Sequence, residues 1–252
     1  MGTTKNKAIR NYHAQQYIQA VFAKRLKEEG FICPDDKLLC WYRIVNREVI
    51  HSVCFFSCWS AVPVMMWIGY GVFPTFTEPF YTGDVYCCNR PSDERFYEMQ
   101  ILENGPYHHL APYASDILVD APVNEGRGLY TLDQLILPKI ENIDTIDKCY
   151  HFNQNMYVGQ LGYSATLVDE AIFLDDIDSY TKCRAYIGKA IELYTRLHES
   201  APQNTQIKKE LERLGLQKRA LFEGAREEYL NLLEQHKEKN LRRLSKKLGI
   251  TL

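Results

Sequence analysis

Charge is missing from one long stretch of the chain. Val49 to Thr77, twenty-nine residues, contains no Asp, Glu, Lys or Arg. A run of that length must be buried, and length alone would suit a membrane-spanning helix. Leucine is missing from it as well, whereas Pro63, Gly69, Gly71 and Pro74 interrupt it and β-branched and aromatic residues fill it. That combination favours a pair of buried strands over the spanning helix, so no membrane association is expected. No Cys-x-x-Cys pair occurs among the eight cysteines, which excludes a zinc ribbon and a thioredoxin-like site. No glycine loop suited to phosphate occurs, since Gly69-Tyr70-Gly71 lies within a strand pattern and Pro74 follows it; nucleotides are not expected, nor is any other cofactor. An apolar leader is absent too, because Lys5, Lys7 and Arg10 open an amphipathic segment. The cysteines therefore read as reduced thiols and the expected location is the cytoplasm.

What is present alternates. Val53, Phe55 and Trp59 fall on one side of an extended chain and Cys54, Phe56 and Cys58 on the other, and Val64, Met66, Ile68, Tyr70 and Val72 repeat the period of two. Strands apolar on both faces need cover on both. Before them, Ile9, Tyr12, Tyr17, Ile18, Val21, Phe22 and Leu26 trace a helical stripe over residues 5–30, with Gly30 as its cap. A strand from Lys37 to Val45 follows, and Asn46-Arg47 turns the chain into Glu48–Ser60. His51 lies inside that strand and reads as a core histidine.

The pieces Arg25–Phe31 (RLKEEGF), Trp41–Phe56 (WYRIVNREVIHSVCFF) and Met65–Phe76 (MMWIGYGVFPTF) resemble an uncharacterised family of bacterial α+β domains of unknown function. The resemblance implies a helix ending at Gly-Phe, an aromatic-Arg strand and a meander. It implies no catalytic residues. It also implies a tie to bacterial conflict or toxin-immunity genes, with which some relatives travel.

Six of the ten prolines lie between Pro74 and Pro122, and residues 80–130 read as a loop-rich excursion. Helical signals return with Thr131 and Gln134 in capping-box spacing, then Thr145–Gln154, Ser164–Leu174, a clean stripe over 179–199, and one long helix over 203–247. That last helix would be about 68 Å if unbroken, more than twice its partner. It must bend near Gly215 or Gly224, or pack its far end on the first domain, another copy or a partner. The expected fold is α+β: an N-terminal helix on an antiparallel meander, then a C-terminal helical hairpin, with domains at 1–163 and 164–252.

Candidate chemistry is sparse. His108, His109 and Asp116, on the loop 106–120, are the best acid–base candidates and support an alternative reading as a hydrolase or metal-dependent enzyme. Asp175 and Asp176, near Asp169, Glu170 and Asp178, could gather a cation, although acids also collect at helix starts. Ser164 is one glycine short of a nucleophile elbow. Lys237, Lys239, Arg242, Arg243, Lys246 and Lys247, opposed by Glu238 alone, give a local charge of +5. Such a helix suits a protein partner or self-association, with nucleic acid a lesser alternative. The sequence therefore points to a non-enzymatic protein-binding factor, of an immunity or regulatory type, that uses its C-terminal helical region.

Overall fold

A computed structural model of the protein describes residues 18–19, 21–33, 40–58, 65–77, 129, 131–156 and 165–251. Helix α1 (Ala23–Glu28) ends where the sequence places a glycine. Gly30 takes φ +78, its N–H donates to the Lys27 carbonyl, and the Phe31 N–H donates to that of Leu26. In this ending the next apolar residue folds back over the last turn, and Phe31 and Leu26 are both buried. Strand β1 (Cys40–Val45) then turns through Asn46–Glu48 into β2 (Val49–Cys58), and β3 (Met65–Pro74) completes an antiparallel meander in the order β1-β2-β3. Asn46 and Arg47 both adopt positive φ in the turn, at 51° and 59°. Asparagine tolerates that conformation, while the arginine pays roughly 1 kcal/mol for it. Within the charge-free run Val49–Cys58 and Met65–Pro74 are thus strands, and among the described residues no helix is long and apolar enough to cross a membrane.

Register decides what each face of the sheet carries. Trp41 pairs with Val53 and Val53 with Tyr70, while Ile44 pairs with Ile50 and Ile50 with Phe73. Alternate rows point to opposite sides. On one side Trp41, Val53, Phe55 and Tyr70 pack with Ile18, Phe22 and Leu26 and with Leu132, Ile136 and Ile140. On the other, Tyr42, Ile50 and Phe73 pack with Leu244 and Leu248 from the far end of the chain. Gly71 is required here, because a Cβ would lie 2.7 Å from Phe73 Cε2 and 3.1 Å from Ser52 Oγ.

His51 is fully buried in β2. Its Nε2 lies 2.6 Å from the Ile143 carbonyl oxygen and its Nδ1 lies 2.9 Å from Arg43 Nη2. A guanidinium only donates and a carbonyl only accepts, so the ring is the neutral tautomer with its proton on Nε2. Burial, opposed by the Ile143 bond and reinforced by the Arg43 charge, lowers its pKa to about 4.

The helical part opens with a π-helical turn over Thr131–Ile136, where the sequence promised a capped α-helix. Pro138, in the first turn of α2 (Leu137–Ile140), offers no N–H for an α-type bond to the Gln134 carbonyl, and the wider turn precedes it. Helix α3 (Ile146–Met156) is capped by Thr145, whose Oγ1 accepts from the Lys148 N–H. Helix α4 (Ala165–Leu174) and a 3-10 turn at Ile177–Ser179 lead into α5 (Tyr180–Ser200). Asn204 then caps α6 (Thr205–Phe222) by accepting from the Gln206 and Ile207 N–H groups. The long helix expected over 203–247 is two helices, since Gly224, at φ +75, breaks it before α7 (Arg226–Leu248). The break settles the mismatch in length: α6 matches α5, and α7 turns back to the sheet.

Candidate functional site

Helix α4 is apolar on every side, so the two acids at its centre must find donors within the core. Asp169 Oδ1 accepts from Gln217 Nε2 and from the Tyr229 hydroxyl, each at 2.6 Å, and Oδ2 accepts from Arg213 Nη2 at 2.7 Å. Gln217 Nε2 also donates to the Ala165 carbonyl at 2.9 Å. One buried carboxylate therefore joins α4, α6 and α7. Burial works against the Arg213 charge, but Asp169 and Glu210 outweigh it and raise its pKa above the ordinary guanidinium value. Burial and the Asp169 charge together push the Tyr229 hydroxyl well up. Glu170, on another side of α4, accepts from Asn153 Nδ2 at 3.0 Å and from Cys149 Sγ at 3.4 Å, and the same Asn153 amide reaches the Val72 carbonyl of β3. These groups are committed to holding helices together.

Beyond α4, Arg226 Nε donates to the Ile172 carbonyl at 3.0 Å and Nη2 to that of Phe173 at 3.2 Å, closing the helix end. Asp175, at φ +56, accepts from the Tyr180 hydroxyl at 2.9 Å and faces Arg226 at 3.3 Å. Burial and that bond push Tyr180 up to about 12. Asp176 accepts from the Tyr150 hydroxyl at 2.7 Å; burial raises its pKa, but bonds from Ser179 and Tyr150 outweigh it and the net shift is downward. The candidate cation ligands Asp175 and Asp176 thus engage separate partners, and among the described residues no group of three or more His, Cys, Asp or Glu is arranged to hold a metal ion. His108, His109, Asp116 and Ser164 lie outside the described residues. His151 is exposed on α3 beside Asp147, whereas Cys149 on the same helix is buried.

The remaining surface with organised chemistry is the outer side of α7. Tyr229, Leu233, Leu241, Leu244 and Leu248 turn inward, and Asn240 Nδ2 donates to the Thr75 and Thr77 carbonyls at 2.9 and 3.0 Å. This leaves Asn231, Glu234, Gln235, Glu238, Lys239, Arg242, Arg243 and Lys246 lining an open groove of about 990 Å³. At its start a smaller pocket of about 340 Å³ opens between α6 and α7, lined by Leu216, Ala225, Tyr229 and Leu232 with Arg219 and Glu228 at its mouth. Asn231 and Gln235 belong to both, so the pocket and the groove are continuous.

Of the six cations singled out in the sequence, three share this stripe as exposed side chains. Lys239, Arg242 and Lys246 make no ion pair among the described residues. Lys237 is half-buried and faces Glu234 at 3.7 Å; Arg243 is half-buried; the Lys247 side chain lies outside what is described. The acids of the stripe are already compensated, Glu234 by Lys237 and Glu238 by Arg47 at 3.1 Å. Sequence reasoning missed the pocket. Its signal was Gly224, the break that opens the angle between α6 and α7. Compared with protein-family models, with curated proteins and with solved structures, the chain matches none.

Proposed function

We propose that the protein is a non-enzymatic binding factor whose interaction surface is the outer stripe of α7. The observation that carries this reading is the disposition of α7 itself. Its inner side is held by Leu244 and Leu248 on the sheet and by Asn240 on the Thr75 carbonyl just beyond β3, while its outer side holds three cations that make no ion pair among the described residues, on a continuous groove. A rigidly held helix presents such charges at fixed spacing, which favours a specific partner over a diffuse one. Among the described residues no aromatic side chain lines the stripe for bases to stack on, and the adjoining pocket is apolar, so a protein surface suits it better than nucleic acid.

The test is a native mass spectrum of the full chain isolated from its own host, beside that of Lys239→Glu/Arg242→Glu/Lys246→Glu. A protein partner bound in fixed stoichiometry to the first and lost from the second is the expected result. A partner retained by the variant, or bound nucleic acid in its place, overturns the reading.

A further inference from the structure

We infer that the partner segment is acidic and amphipathic, with one large apolar side chain seated in the pocket between α6 and α7 and a ladder of carboxylates along Lys239, Arg242 and Lys246. The inference rests on the reading of α7 just given and adds the chemistry of what binds there. The pocket floor is apolar, from Leu216, Leu232 and the buried Tyr229. The charges at its mouth satisfy one another, Arg219 Nη2 lying 3.0 Å from Glu228 Oε2. The pocket thus takes an apolar group and asks for no charge. Farther along, the acids are paired within the protein and the three cations make no ion pair among the described residues, so the groove asks for negative charge there. Lys239, Arg242 and Lys246 stand three and four positions apart, on one helical stripe. From Leu232 to Lys246 is a rise of about 21 Å, which a partner helix of about 16 residues covers. The occupant is therefore a segment of another protein with its apolar anchor at one end and acids spaced by three or four over the rest.

The probe is a displayed library of random 16-residue peptides, selected on the immobilised full-length chain and counter-selected on Lys239→Glu/Arg242→Glu/Lys246→Glu. The expected consensus is a Leu, Ile, Phe or Trp followed by Asp or Glu at intervals of three or four. A basic consensus, a purely apolar one, or no enrichment overturns the inference. The enriched peptide is then titrated by fluorescence anisotropy. The triple reversal weakens it about tenfold or more and flattens its salt dependence, and Leu232→Ser or Leu216→Ser, each checked for an unchanged circular dichroism spectrum, weakens it about tenfold. Affinity unchanged from that of the unsubstituted chain in both serine variants overturns the anchor. If the natural partner is lost from the charge-reversed chain while selection yields no acidic and apolar pattern, the inference falls and the proposed function stands; if the natural partner stays bound to that variant, the proposed function falls.

Discussion

The two halves of α7 are held by different chemistry. Its first half joins the other helices through polar groups in the core, the Tyr229 hydroxyl on Asp169 and the Arg226 guanidinium on the last carbonyls of α4. Its second half joins the sheet through leucines, with one amide, Asn240, reaching the Thr75 and Thr77 carbonyls. Apolar contact is tolerant of small slips, whereas a carboxylate with three donors is satisfied in one arrangement only. The polar half therefore sets the register of the helix, and the apolar half supplies the area that fixes it down. Both are needed if the outer stripe is to present its charges at constant spacing.

Breaking the polar half has the largest expected effect. Asp169→Ala removes the acceptor of Arg213, Gln217 and Tyr229 together and leaves a half-buried guanidinium with Glu210 alone beside it. The expected loss is about 3–5 kcal/mol, read as a lower urea midpoint. A loss below about 1 kcal/mol would mean that water reaches the junction and that it does not set the register. Breaking the apolar half comes next. Leu244→Ala opens a cavity between α7 and the Tyr42, Ile50 and Phe73 face, with an expected loss of about 2–4 kcal/mol. Hydrogen exchange should then rise in the second half of α7 before the first, and a uniform rise would erase the distinction between them.

Much of the sheet was legible and little of the junction was. The period of two over Val53 to Val72, with Gly-Phe at 30 and 31, specified strands and a helix end because local geometry alone decides them. The C-terminal leucines were legible as a stripe, but not what they cover, since two apolar faces look alike in sequence. Asp169 and Glu170 read as members of an acidic cluster with Asp175 and Asp176. Their burial depends on donors 17 to 60 residues away, a separation no local pattern encodes. The clue lay in α4 itself, ATLVDEAIFL, where two acids within an otherwise apolar helix demand partners in the core. Three of the six basic residues could be placed on one stripe by spacing alone. That Lys237 and Arg243 turn partly inward could not, because it follows from which residues of α7 are seated against the rest of the protein.

The sheet also carries a pH response, set by the buried imidazole of β2. His51 has a folded-state pKa of about 4, below the roughly 6.5 of an exposed imidazole. Between those values the unfolded chain binds a proton that the folded chain refuses. The stabilisation is complete above about pH 6.5 and is lost as the pH falls towards 4, by up to about 3 kcal/mol. His51→Gln should lower stability at pH 7 and flatten this slope, and an unchanged slope in the variant would assign the acid sensitivity to another group.

The smallest effect on stability is expected where the effect on binding is greatest. Lys239, Arg242 and Lys246 are exposed and make no ion pair among the described residues, so reversing all three should shift the urea midpoint by the equivalent of about 0.5 kcal/mol or less. The two sides of α7 then divide cleanly: Leu244→Ala destabilises, and the triple reversal leaves the fold intact while removing the partner. A large loss of stability on reversal would show that the stripe is engaged with the protein's own acids, and the outer side of α7 would belong to the fold instead of to a binding surface.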